Sequence, residues 1–175
     1  MKKTLFVALC TLLAMPLLAA DSFTMPDWKA DFAKHWAVSR DLTIAVADAM
    51  PAGDYGFIPN PELKPVEMSY AQLMIHIAQA NAGACARVSG QTAPAKPDSM
   101  DKAAAMKFLN ESYDFCGKAI DAITDEQLVK MAGPEGHQMA GHDVLWSYFT
   151  HTAHHRGQAE VYLRLKNIKP PTYKF

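Results

Sequence analysis

The chain lacks the features that mark nucleic-acid-binding and haem proteins. It has 17 Lys and Arg residues against 18 Asp and Glu residues, with no basic block or stripe, whereas proteins that bind a phosphate backbone concentrate positive charge on one surface. It has no Cys-x-x-Cys-His motif for haem attachment, and neither an internal repeat nor a low-complexity tract is visible. We therefore expect no nucleic-acid partner, and a haem bundle is the least favoured class.

Long apolar runs are also scarce, and the run at the amino terminus is short. Lys2 and Lys3 precede an apolar stretch, Thr4–Leu18, which two alanines follow. A membrane span needs about 20 continuous apolar residues, whereas a basic start, a short apolar stretch and small residues after it are typical of a cleaved signal peptide. We therefore expect residues 1–20 to be a signal peptide, with no stable membrane anchor after cleavage. The remaining chain, 21–175, would be one periplasmic or secreted domain.

Cysteine is rare, and the sequence leaves its role open. Cys10 falls in the predicted signal peptide, so the exported chain would keep only Cys85 and Cys116. An even pair in an oxidising compartment can form a disulfide. Two cysteines on helices are also commonly small core residues.

Four segments carry the apolar three-and-four spacing of amphipathic helices. The first begins with Thr24, Pro26 and Asp27 and runs to about Met50. The other three are predicted at about 69–88, 101–123 and 142–167.

Two helix starts have the capping-box pattern, in which a hydroxyl and an amide side chain satisfy the first free backbone groups. Ser69 and Gln72 begin the second helix, and Thr124 and Gln127 predict one short extra helix after the third. Four long helices with apolar stripes predict an all-α fold, a four-helix bundle.

The second helix carries His76 on a face that is otherwise apolar and small. Leu73, Ala80, Gly83 and Ala84 share that face at three-and-four spacing. Small residues there predict a closely packed neighbouring helix, into which His76 would project. A single histidine on an apolar face is more often a hydrogen-bonded core residue than a metal ligand.

The last helix concentrates polar chemistry in residues 151–158, which contain three histidines, an arginine and a glutamine. On an ideal helix, His151 and His155 differ by about 40° in direction and about 6 Å along the axis, so both imidazoles can converge on one ion. His154 is a competing candidate, and Arg156 is expected to point away.

The predicted position of the pair is the middle of the buried stripe of this helix. The residues that project on the same side as His151 are Val144, Tyr148, Gln158, Tyr162 and Leu165. Two histidines buried there would carry unsatisfied ring nitrogens. A metal ion would answer that cost, and a hydrogen-bonded polar core without metal is the alternative.

Two histidines make a weak site, since zinc-like centres use three or four ligands. His76 is the natural third ligand for His151 and His155. Three imidazoles with no cysteine or obvious carboxylate would leave a position open for water or substrate. Neutral imidazoles suit several divalent metals, and we expect Zn, Ni or Fe.

Several stretches together resemble the DinB/YfiT family. They are the motif His-x-x-x-His-Arg-Gly-Gln at 151–158, the histidine-bearing helix segment at 73–77, the ending at 162–171 and the stretches 49–51 and 55–57. The similarity covers nearly the whole chain after the predicted signal peptide. The combination is fairly specific, whereas the spacing of the two histidines alone would not be.

The resemblance implies a four-helix bundle that runs up-down-down-up and holds a divalent metal by three histidines. One comes from the second helix and two from the last, which map onto His76, His151 and His155. Parallel second and third helices would bring Cys85 and Cys116 toward the same end of the bundle, which makes a disulfide possible.

The family includes thiol-dependent transferases and isomerases, in which the metal holds a small thiol as thiolate. A bound cation lowers the pKa of a thiol, so this chemistry is physically sensible. Hydrolysis is the rival scheme and usually needs a general base, but no Asp or Glu lies on the His151 stripe and Glu160 projects to the opposite side. Tyr148 and Gln158 could orient a ligand, or pack and hydrogen-bond to a histidine.

We therefore expect an exported, divalent-metal-binding bundle that acts as a transferase or hydrolase on an unknown small molecule. The alternative is a non-catalytic metal-binding or interaction module. In that case helix faces would support a homodimer.

Overall fold

The structure is a computed structural model that describes residues 27–63, 67–134 and 136–173. The predicted signal peptide, residues 1–20, lies outside the described residues, as does the expected helix-start residue Thr24.

Helices form most of the described chain, so the predicted all-α class is confirmed. The helices are α1, Trp28–Ala49; α2, Tyr70–Ser89; α3, Lys102–Ala122; α4, Asp125–Val129; and α5, Gly141–Leu165. One 3₁₀ turn, Ala52–Asp54, follows α1. A short antiparallel hairpin, which the sequence did not predict, precedes α5 and consists of β1, Met131–Ala132, and β2, Met139–Ala140. Within the described residues, no helix has both the length and the hydropathy of a bilayer span.

Side-chain caps explain where these helices begin. The Asp27 carboxylate accepts hydrogen bonds from two backbone N–H groups of the first turn, so α1 begins at Trp28. Both predicted capping boxes form, at Ser69 for α2 and at Thr124 for α4, and Asp101 caps α3. Each cap satisfies backbone donors that have no partner within the helix.

α1 and α3 run antiparallel. Lys102, at the start of α3, pairs with Asp48 near the end of α1, with 2.9 Å between Nζ and Oδ1. At the other end of the two helices, Nζ of Lys29 donates to the carbonyl oxygen of Ile123 at 2.9 Å.

α2 and α3 run parallel. The Ser112 hydroxyl donates to the carbonyl oxygen of Ala78 at 2.6 Å. Farther along both helices, Cys85 and Cys116 form a disulfide, with 5.4 Å between their Cα atoms, a usual separation for a bridged pair. Both cysteines are fully buried, so the question that the sequence left open is answered by a disulfide inside the core.

α5 runs antiparallel to α2. The Tyr162 hydroxyl donates to the carbonyl oxygen of Met68, just before α2, at 2.9 Å. Toward the opposite end, Arg87 lies over the ring of Tyr148. The four long helices therefore run up-down-down-up, as the family resemblance implied.

An aromatic cluster joins α1 to α5. The Phe32 ring stacks on Trp28, with centroids 5.0 Å apart, and meets Trp146 edge-on at 5.1 Å. Leu42 of α1 is also buried, as are Trp36 and Val46. Such ring pairs add to the free energy of burial, so this contact helps to hold α5 against α1.

Candidate metal centre

The three histidines that the sequence singled out lie together between α2 and α5. Nε2 of His76 is 3.2 Å from Nε2 of His151 and 3.2 Å from Nε2 of His155. The two histidines of α5 are 3.0 Å apart between the same atoms. Because α2 and α5 are antiparallel neighbours, one residue of α2 meets two residues that are one turn apart on α5.

Hydrogen bonding among the three rings cannot account for this cluster. Each Nε2 is either a protonated donor or an unprotonated acceptor. With three atoms and two roles, at least two atoms share a role, so at least one contact sets proton against proton or lone pair against lone pair. A cation that accepts all three lone pairs removes this conflict.

The separations of the nitrogens fit a divalent ion. Tetrahedral Zn–N bonds of about 2.0–2.1 Å put the ligand nitrogens of one ion about 3.3 Å apart, and the observed separations of 3.0 to 3.2 Å are close to this. Within the described part of the chain, these three residues are the one group of ligand side chains able to hold a metal. The donor set is therefore three imidazoles.

Gln158 orients one of these rings. Nδ1 of His155 is 2.7 Å from Oε1 of Gln158, and a carbonyl oxygen only accepts, so Nδ1 carries the proton. Nε2 of His155 is then unprotonated and directed at the other two rings, as a metal ligand requires. The amide nitrogen of Gln158 lies 3.2 Å from Nε2 of His154, so an exposed histidine supports the orienting side chain.

The environment favours neutral histidines. Burial, and then the neighbouring histidines with His155 first, lower the pKa of His151 from an ordinary value of 6.5 to about 4. Burial and then His155 also lower the pKa of His76. Imidazole must be neutral to bind a metal, so these two side chains are in their ligating form at pH 7.

The histidines lie at the edge of the buried stripe of α5, so the prediction that they occupy its middle was wrong. His151 and His155 are partly buried, and Leu165, expected on the same stripe, is 55% exposed. The middle of the stripe is formed by Leu145, Thr152, Arg156, Ala159 and Leu163, all buried. The error came from Arg156, whose guanidinium is held by hydroxyls of α1 instead of pointing away from the core.

A cavity of about 510 Å³ opens beside the cluster. It is lined by His76, Gln79, Ala80, Gly83, Arg87, Ser147, Tyr148 and His151. The small residues of α2 were expected to admit a closely packed helix, and α5 does bring His151 and His155 within 3.2 Å of His76, but a cavity opens at Ala80 and Gly83. A Cβ added at Gly83 would have nothing within 4 Å, so the small face leaves space for a ligand.

The other histidines lie outside the cluster. His154, the competing candidate, is exposed and contacts Gln158. His35 and His142 lie beside the acidic side chains of Asp31 and Asp143. Glu160, expected on the far side of α5, contacts Arg164 at 3.5 Å.

Three cavity residues were missed by sequence reasoning, namely Gln79, Arg87 and Ser147. The spacing of Gln79 and Arg87 from His76 offered a signal, since positions three and eleven residues later share one helix face. Ser147 offered a signal of the same kind, since it lies four residues before His151 on α5 and so shares its helix face.

Comparisons with known proteins agree with this geometry. The family model of the DinB superfamily matches residues 35–159, a range that contains all three histidines. No curated protein matches the chain.

Two solved structures have the same fold. A DinB-like protein from Bacillus cereus has a TM-score of 0.72 and 17% sequence identity, over 83% of this chain and 97% of that chain. A DinB-like protein from Bacillus subtilis has a TM-score of 0.67 and 18% identity, over 82% and 97%. At such identities the likeness is evidence for the fold alone.

Proposed function

The chain belongs to the DinB superfamily, and from this premise we propose that it is an exported protein that binds one divalent metal ion through His76, His151 and His155. We further propose that it uses this centre to act on a small molecule held in the adjoining cavity. The observation that carries the proposal is the triangle of three Nε2 atoms, whose mutual contacts no assignment of ring protons can satisfy.

The arrangement leaves room for a reacting molecule. Three imidazoles do not complete the coordination of Zn, Ni or Fe, and two of them, His76 and His151, also line the cavity. A bound ion would act as a Lewis acid toward a ligand that enters from that side. The protein contributes the orientation of His155 through Gln158 and a cavity that holds the ligand against His76 and His151.

The cavity favours a transferase over a hydrolase. None of the described residues that line it is an Asp or Glu, so hydrolysis would lack the carboxylate base that usually activates water. A nucleophile that is activated by the cation itself, such as a thiol, needs no such base. Transfer of a group to or from a small thiol or a similar nucleophile is therefore the reaction class that fits these residues best.

The disulfide supports the proposed export. Disulfides persist in oxidising compartments and are rare in the cytosol, and the Cys85–Cys116 bridge is fully buried. Fractionating the cells and determining the amino terminus of the purified protein tests this. A chain that begins near residue 21 in the envelope or medium supports export, and a cytosolic chain that begins at Met1 contradicts it.

The metal centre is tested by measuring the metal content of purified protein by mass spectrometry. We expect about one divalent ion per chain in the wild type, and little in His76→Ala or His155→Ala, because two imidazoles hold a metal weakly. His35→Ala is the control, since it removes an exposed histidine outside the cluster and should keep the ion. A wild type without metal would overturn the proposal, and equal metal in all variants would place the ion elsewhere.

The reaction class is tested on the same samples. A thiol–electrophile conjugation assay and an ester-hydrolysis assay, each with and without metal, compare the two chemistries. Metal-dependent conjugation that is lost in His155→Ala supports the transferase. Stoichiometric metal without turnover in either assay would favour the non-catalytic metal-binding module.

A further inference from the structure

We propose that Arg87 is an anion-binding residue of the cavity, so that the molecule handled at the metal centre is an organic anion with a carboxylate or phosphate group. This inference rests on the proposed function and deepens it, because it assigns a chemical class to the substrate. It comes from the position of Arg87, the contacts of its guanidinium and the shape of the cavity.

Arg87 and His76 line the same cavity from the same face of α2. They are eleven residues apart, about three turns, so their Cα atoms lie about 16 Å apart along the helix axis. A long side chain on a helix leans toward the N-terminal end, which directs Arg87 toward His76. Three residues between them also line the cavity, and two of these, Ala80 and Gly83, are small and leave the path open beside Gln79.

The charge of Arg87 is not used within the described part of the protein. Seven side-chain ion pairs form among the described residues, and none of them includes Arg87. Its guanidinium carbon instead lies 5.8 Å from the centre of the Tyr148 ring. Contact with an aromatic ring holds a guanidinium in place by its flat face and leaves the N–H edges to form the paired hydrogen bonds that carboxylates and phosphates accept.

Tyr148 connects this residue to the metal centre. Its ring also meets the ring of His151, with centroids 5.7 Å apart. The Tyr148 ring therefore contacts the Arg87 guanidinium at one end of the cavity and the candidate metal ligand His151 at the other. A change that moves this ring would disturb both ends.

The remaining lining suits an anion. It offers the amide of Gln79 and the hydroxyl of Ser147 as hydrogen-bonding groups, and no carboxylate lines the described cavity. A cation at the three histidines would add positive charge at the second end. Because the two ends are separated by several helical residues, a single small ion cannot contact both, and an elongated organic anion can.

The test is a calorimetric titration with straight-chain dicarboxylates, from succinate to suberate, and with monocarboxylates of the same lengths. We expect the metal-loaded wild type to bind one of the longer dicarboxylates at least about tenfold more tightly than its monocarboxylate, which corresponds to one charge-assisted interaction. Arg87→Gln should remove that preference without changing metal content, and Arg87→Lys should restore part of it. Arg164→Gln is the matched control, since it removes an exposed arginine outside the cavity.

The outcomes separate this inference from the metal centre. If the metal-loaded wild type and Arg87→Gln bind every dicarboxylate equally, the anion-binding role is wrong although the metal centre stands. If the wild type holds no metal, the proposed function fails. The monocarboxylates then test Arg87 in the metal-free protein, where weaker binding to Arg87→Gln supports the role and equal binding overturns it.

Discussion

Two polar sites lie on different sides of α5, and they differ in whether their polar groups are satisfied by hydrogen bonds. Arg156 faces α1, is only 8% exposed, and donates to the hydroxyl oxygens of Ser39 at 3.3 Å and Thr43 at 3.4 Å. The histidines at 151 and 155 face α2 at the edge of the core, beside an open cavity.

The polar groups of the Arg156 site form hydrogen bonds with one another. The Thr43 hydroxyl donates to the carbonyl oxygen of Ser39 at 2.7 Å and accepts from the Tyr113 hydroxyl at 3.0 Å. Three helices, α1, α3 and α5, are thereby joined by hydrogen bonds among buried polar groups, which is how such groups are satisfied in a core. The histidine cluster is different, because its three Nε2 atoms cannot all satisfy one another by hydrogen bonds. A buried network whose hydrogen bonds are made within the protein indicates a structural role. A cluster that cannot satisfy its own nitrogens and lies beside a cavity indicates a ligand.

The largest effect that separates the two sites should come from metal itself. An ion present at about a thousand times its dissociation constant stabilises the fold by about 4 kcal/mol. We expect this increment in the free energy of unfolding for wild type and for Arg156→Ala, and its loss in His76→Ala. Urea denaturation of chelator-treated and metal-loaded protein measures it, with His35→Ala as control. Loss of this metal-dependent increment in Arg156→Ala would show that the arginine network also supports metal binding, so that the two sites are not independent.

The second effect concerns stability without metal. Arg156→Ala removes a buried stem and two hydrogen bonds from a charged donor, so we expect the metal-free protein to lose about 3 kcal/mol of unfolding free energy. Arg164→Ala, at an exposed ion pair, should change it by less than about 0.5 kcal/mol. Chemical denaturation of both variants checks the contrast. An Arg156→Ala protein as stable as wild type would mean that the buried network is not structural.

The third effect tests how the site is held. Gln158→Leu leaves Nδ1 of His155 without the acceptor that fixes its proton, and loss of such a partner typically weakens metal binding by about 10- to 100-fold. Competition with a chromophoric chelator measures the affinity. Stability of the metal-free protein should change little, because Gln158 is exposed. An unchanged affinity would mean that His155 is oriented by packing alone.

Local chemistry explains which parts of this molecule could be predicted from its sequence. The capping boxes at Ser69 and Thr124 act within four residues, and the convergence of His151 with His155 follows from helix periodicity. These predictions were confirmed because nothing distant is needed to produce them.

The contacts that escaped prediction are long-range. Arg156 reaches Ser39, 117 residues earlier in the chain, and no local pattern indicates that an arginine will find hydroxyls there. The side of α5 that faces the core was misjudged for this reason. The hairpin was missed because its strands have two residues each, too few for an alternating pattern.

The smallest effect is a dependence of stability on pH in the metal-free protein. The pKa of His151 is lowered to about 4 from 6.5, and the pKa of His76 is also lowered, so the unfolded chain binds these protons at a higher pH than the folded chain does. Stability is then constant above about pH 6.5 and falls as the pH drops toward 4. Since both side chains are partly exposed, we expect His151 to contribute only about 1 kcal/mol of this loss.

Denaturation of wild type and His151→Asn at pH 7.5 and pH 5 measures this contribution. Comparing the two proteins cancels the titration of the carboxylates that they share. Arg156 keeps its charge throughout this range, so Arg156→Ala should show the wild-type change of unfolding free energy with pH. The same change in His151→Asn would contradict the prediction, because it would mean that folding does not alter the protonation of His151.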